Sequence, residues 1–69
     1  MYSVFIYKIP ETKHYEYVKE FKTFDMTKQF VLGLKDKSYS FYITHNRQGL
    51  GGGKLPLTEE QFNILVKEN

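Results

Sequence analysis

No cysteine occurs anywhere in this 69-residue chain, and that absence limits what can hold it together. A chain this short buries only about 60% of its unfolded surface, and such domains often add disulfides, metals or self-association to a small core. Disulfides and thiolate metal sites are excluded. Two histidines, His14 and His45, are too few for a histidine-only structural zinc site. The expectation is a single domain over residues 1–69 with no cofactor, an apolar core and self-association, most simply a homodimer. Six Phe and six Tyr, with no Trp, supply much of the apolar material, and aromatic residues favour strands.

No apolar run approaches the roughly 20 residues that cross a bilayer. The N-terminus "MYSVFIYKIP" lacks the basic segment and small-residue cleavage site of a signal peptide. A cytoplasmic protein without a membrane partner is expected.

Periodicity assigns the elements. Tyr2 to Ile9 is apolar on both alternating faces, as in a strand buried on two sides. Pro10 to Lys13 has turn chemistry. His14 to Phe21 alternates, with Tyr15, Tyr17 and Phe21 on one face and His14, Glu16 and Glu20 on the other, which predicts a strand with one wet face. Residues 26–34 admit two readings. Met26, Phe30 and Leu34 recur at helical spacing, and Asp25 would cap a short helix. Against this, Gly33 costs about 1 kcal/mol relative to Ala in a helix interior, and Lys35 to Ser38 reads as a hairpin turn. The hairpin, Thr27–Leu34 with Tyr39–His45, is favoured. Within its second strand Tyr39, Phe41 and Ile43 alternate with Ser40, Tyr42 and Thr44.

"NRQGLGGGKLP" then reads as a pliable loop, because glycine lifts the Cβ restriction on φ. Thr58 and Gln61 form a capping box, and Leu57 and Phe62 a hydrophobic staple. Glu59 and Glu60 in the first turn and Lys67 near the end suit the helix dipole. Phe62, Leu65 and Val66 give the apolar stripe. About eleven residues are too few for a free-standing helix, so this one docks on the sheet or on a second subunit. The predicted class is α+β: a four-stranded antiparallel sheet of two hairpins followed by a C-terminal helix, ββββα.

Charge is unevenly distributed. Residues 1–25 balance four Lys against four acids. Residues 26–56 carry Lys28, Lys35, Lys37, Arg47 and Lys54 against Asp36 alone, and residues 57–69 carry Lys67 against three Glu. The middle third is therefore positive, which suits either ordinary solubilising lysines or an anionic partner.

Nucleotide motifs fail. A phosphate loop ending at Gly53 needs glycine where Gln48 stands and Ser or Thr where Leu55 stands, and a dinucleotide fingerprint counted from Gly49 ends on Lys54. Two histidines on strands make no Ser-His-Asp set, and Glu16 with Glu20 reads as solvation. No enzyme is expected. "KSYSFYIT" echoes RNA-recognition strands but lacks the glycine after the lysine.

From Val31 onward the chain resembles the single-stranded-DNA-binding domain of the transcriptional positive cofactor four family and its small bacterial and phage relatives. The resemblance covers about residues 31–66. Lys35 and Lys37 stand at the basic hairpin, Tyr39, Phe41 and Ile43 on the alternating strand, and Gly53 and Lys54 at the loop. Leu55 and Leu57 follow, and Glu60, Gln61 and Phe62 open the helix. The chain departs from the family pattern where Tyr42 or Thr44 stands in place of a basic strand residue. The resemblance implies a coactivator-like, homodimeric, single-stranded-DNA-binding protein. Cations would hold phosphates and rings would stack bases. Lys35, Lys37, Arg47 and Lys54 would supply the first, and Tyr42, with His45 at the strand end, the second. Tyr42 reads somewhat more readily as a half-buried strand tyrosine, and Lys54 equally as a solvated loop cation. The alternative is a protein-interaction module or phage-encoded inhibitor that binds a partner protein through its tyrosine-rich sheet, since tyrosine is favoured at interfaces. A structural subunit is a third reading.

Overall fold

A computed structural model describes residues 1–10 and 13–68. In chain order it contains β1 (Tyr2–Lys8), β2 (Tyr17–Phe21), α1 (Phe24–Gly33), β3 (Tyr39–His45), β4 (Gln48–Lys54) and α2 (Glu59–Leu65). The strands form one sheet in the order β2-β1-β3-β4, and every neighbouring pair is antiparallel. The α+β class, the four-stranded antiparallel sheet and the C-terminal helix stand as expected. Of the turn expected at Pro10 to Lys13, Glu11 and Thr12 lie outside the described residues.

Two local expectations are corrected. Residues 27–34 are not the first strand of a hairpin; they lie in α1 and its C-cap, Leu34. The glycine segment is not a pliable loop but β4, so the second hairpin is β3–β4 and its two-residue turn is Asn46-Arg47.

Helix α1 forms because Thr23 caps it and a different stripe faces the core. Thr23 Oγ1 accepts from Met26 N at 3.1 Å, so Asp25 stands in the first turn rather than at the cap. Phe24, Thr27, Val31 and Leu34 recur at spacings of three, four and three. Thr27 and Val31 are fully buried, and Phe24 and Leu34 pack against the core. The hydroxyl of Thr27 donates to Thr23 O at 2.9 Å, which satisfies the one buried polar side chain among the described residues. Met26, at helical spacing from Phe30 and Leu34, is half exposed and lies off this stripe. Gly33 ends the helix instead of interrupting it.

Helix α2 carries the predicted capping box. Gln61 N donates to Thr58 Oγ1 at 3.1 Å, and Thr58 N donates to Gln61 Oε1 at 2.8 Å. Leu57 and Phe62, on either side of the cap, are both buried. Phe62 packs against Phe24 and Phe41, with ring centroids 5.9 and 6.3 Å apart. Lys28 on α1 binds Glu59 on α2 at 2.9 Å and lies over the Phe62 ring. Both helices therefore cover the same face of the sheet. Its residues are Tyr2, Val4 and Ile6 from β1, Phe41 and Ile43 from β3, and Leu50 from β4. The opposite face has no helix on it.

Candidate functional site

Side chains alternate along a strand, so the register of the sheet defines what the uncovered face displays. Reading across β2, β1, β3 and β4 gives one row of Glu20, Ser3, Thr44 and Gly49. The next row is Val18, Phe5, Tyr42 and Gly52, and the third contains Tyr7, Ser40 and Lys54. Tyr15, which precedes β2, packs on the same side. Its ring centroid lies 5.0 Å from Phe5 and 6.4 Å from Tyr7, both edge-on. The uncovered face thus carries Phe5, Tyr7, Tyr15 and Tyr42. Tyr15 and Tyr42 are 51% and 42% exposed, a large apolar display for a face no helix protects.

The glycines of β4 shape this face. A Cβ on Gly49 would overlap the Tyr42 hydroxyl, so the tyrosine lies across β4 only because residue 49 is glycine. Gly51 answers a different demand. Its φ is +135°, and a Cβ there would run into the carbonyl of Leu65, which lets the chain after α2 close on the strand. Val66 bridges Gly51, and Lys67 N donates to Leu50 O at 3.1 Å.

The predicted site residues divide by position. Lys54 ends β4 on the uncovered face, opposite Ser40. Lys35 and Lys37 lie in the connection from α1 to β3, which enters β3 at Tyr39, the same end of the sheet. Lys8, which pairs with Tyr39, adds a fourth exposed lysine at that end. Asp36 stands between Lys35 and Lys37, and its Oδ1 accepts from Ser38 N at 2.8 Å; Glu16, bonded through its N to Ile6 O, is a second acid at this end. Arg47 is not with them. It occupies the β3–β4 turn at the other end, one seven-residue strand or roughly 20 Å away. His45 is on the helix-covered side, where its ring stacks on Tyr2 at 3.9 Å and 8°. Tyr2 in turn donates its hydroxyl to Glu68 Oε2 at 2.7 Å. That hydrogen bond, then burial and the Glu68 charge, hold the Tyr2 phenol above the ordinary tyrosine value of 10.0.

Sequence reasoning missed Phe5, Tyr7 and Tyr15. The alternation of "YSVFIYK" already separates Phe5 and Tyr7 from Val4 and Ile6, so that signal was present and was absorbed into a strand buried on both sides. Strict alternation puts Tyr15 on one face with Tyr17 and Phe21. Regular pairing begins only at Tyr17, and Glu16 N donates to Ile6 O, out of the ladder's register. The bend turns Tyr15 to the opposite face from Tyr17.

Among the described residues, no three His, Asp or Glu side chains cluster as metal ligands do. No helix there is long and apolar enough to cross a membrane. No protein-family model, curated protein or solved structure matches the chain.

Proposed function

We propose that this protein binds single-stranded nucleic acid on the uncovered face of its sheet, as a non-enzymatic, coactivator-like protein of the bacterial or phage kind its sequence resembles. One observation carries the reading: Phe5, Tyr7, Tyr15 and Tyr42 share the face without a helix, and lysines gather at one end of it. Exposed rings accept bases of any sequence, because every base has a π-face. Lys54, Lys37 and Lys35 supply the phosphate contacts. Arg47 stands too far away to join them, and the Tyr2 ring already occupies one face of His45.

The test is titration of labelled oligo-dT, oligo-U and a matching duplex at two salt concentrations. Binding through three lysines gives a slope of log K against log salt of about −2 for a single strand. Tyr42→Ala lowers affinity by about 1–3 kcal/mol, the value of one stacked base. Lys54→Glu flattens the salt slope, whereas Arg47→Glu leaves it alone. Failure of both single strands to bind at low salt would sink the proposal.

A second reading rests on another surface, which shares Lys54 with the first. Pro56, Leu57, Gln61, Ile64 and Leu65, with Lys54 at the rim, line an apolar groove of about 410 Å³ beside α2. Ile64 is 67% exposed. This groove suits a protein contact, either a partner protein or the second subunit of a homodimer. Light scattering of the wild type and of Ile64→Lys tests it. A dimer that the substitution splits without weakening oligo-dT supports the contact, and a monomeric wild type removes the homodimer.

A further inference from the structure

Beneath the lysine-rich end of the sheet, on the helix-covered side, lies a second cavity of about 220 Å³. Its floor is Ile6, Leu34 and Leu55; Tyr17 and Tyr39 border it, and Lys35 and Asp36 stand at its rim. Tyr17 pairs with Ile6 from one side, and Tyr39 enters from β3 on the other. The backbones of the two tyrosines are thus separated by two strand spacings and two residues along the strands, roughly 12 Å. The volume is below the 300–1,000 Å³ typical of drug-sized ligand sites. It suits one planar ring system, with sugar and phosphate left outside.

We propose that this cavity takes a single unstacked nucleobase bearing an exocyclic amino group, with the attached phosphate held by Lys35. The identity of the ligand rests on the single-strand reading above; the cavity shares Lys35 with that reading but none of the rings Phe5, Tyr7, Tyr15 and Tyr42. Two features choose the occupant. First, the cations form a path. Lys54 stands on the uncovered face, Lys37 in the connection at the sheet's end, and Lys35 on the cavity rim. A strand following them rounds the end of the sheet and arrives at the cavity with a phosphate beside Lys35. Second, the rim acid is a carboxylate that gives one hydrogen bond acceptor to Ser38 N. A carboxylate has capacity for more than one N–H; the N3–H of uracil and thymine is flanked by two carbonyl oxygens that repel it, whereas an exocyclic amino group projects clear of the ring, so Asp36 favours adenine, cytosine or guanine. The tyrosines supply the stacking surface and the aliphatic floor excludes water.

Methyl-resolved NMR titration of the whole chain with adenosine 5′-monophosphate, uridine 5′-monophosphate, adenosine and inorganic phosphate tests this. The expected result is saturable shifts at Ile6, Leu34 and Leu55 with the adenine nucleotide, tighter than with the uracil nucleotide. Lys35→Glu, or use of adenosine without phosphate, weakens binding. Asp36→Asn abolishes the preference for adenine. Tyr17→Ala weakens binding at least about fivefold and Tyr17→Phe restores it, as stacking requires. Lys35, Asp36 and Tyr17 are all exposed, so these substitutions leave the buried core untouched, and the methyl spectrum of each variant checks its fold. Absence of methyl shifts with either nucleotide overturns the proposal, as does a response to phosphate alone that matches the nucleotide's. Oligo-dT bound on the Tyr42 face with an empty cavity overturns this inference and spares the first. Nucleotide bound in the cavity with no oligonucleotide on the sheet does the reverse.

Discussion

At the β3–β4 turn two consecutive residues have positive φ, Asn46 at 52° and Arg47 at 71°. A two-residue hairpin needs this because its backbone twist then matches that of the strands. Asparagine tolerates the left-handed region well, whereas a side chain such as arginine carries a cost of roughly 1–2 kcal/mol there. Arg47→Gly is therefore expected to raise stability by about 1 kcal/mol after glycine's own entropy loss is offset. An urea midpoint that stays or falls would refute this. Glycines 51 and 33 make an opposed pair. Gly51→Ala combines φ of +135° with a collision against the Leu65 backbone and should cost about 3 kcal/mol. Gly33 has nothing within 4 Å of a would-be Cβ and normal helical geometry, so Gly33→Ala should stabilise by up to about 1 kcal/mol. Thermal melts of the two variants should shift in opposite directions.

Among the elements, α2 was the most legible, since capping is local chemistry: Thr58 and Gln61 need only their own spacing to exchange two hydrogen bonds. Thr58→Ala should lower stability by about 1 kcal/mol, with Thr58→Ser retaining most of it. Equal losses for both substitutions would mean that packing, not the cap, sets the cost. Helix α1 was harder to read because a threonine occupies a core position. With Thr27 counted as polar, the eye passes to Met26, Phe30 and Leu34, and the true stripe disappears. Strand β4 was hidden for the opposite reason. Its glycines satisfy close approaches by Tyr42 and by the Leu65 carbonyl, and no pattern within "GLGGGK" reveals a neighbour 14 residues away in sequence. The candidate site divides in the same way. Tyr42's position opposite Phe41 and Ile43 followed from alternation alone. His45 required the register, which pairs it with Tyr2, and Arg47 required knowledge that its segment is a turn.

At the scale of the whole molecule, the two ends of the chain close on one another. Tyr2 in the central strand β1 holds Glu68 beyond α2, while Val66 and Lys67 bond the edge of β4. The first strand, the last strand and the C-terminal segment are thereby tied across a sheet in which β1 and β4 are not neighbours. This tie is sensitive to pH. The phenol is the donor, and the carboxylate that accepts from it also opposes a phenolate, so the Tyr2 value is raised above 10.0. A folded state that holds a proton more tightly than the unfolded chain loses stability as pH climbs. The contribution is complete below pH 10, the unfolded value, and is lost as pH rises through the higher folded one. Tyr2→Phe keeps the ring against His45 and Phe24 but has no proton to lose. Urea unfolding of wild type and variant at pH 8 and above pH 10 should therefore show the wild type's advantage shrinking at the alkaline end. Every other side chain is identical in the two proteins, so the comparison isolates the Tyr2 hydroxyl. A difference that stays constant across this range would mean that the Tyr2–Glu68 bond does not link the chain's ends in solution.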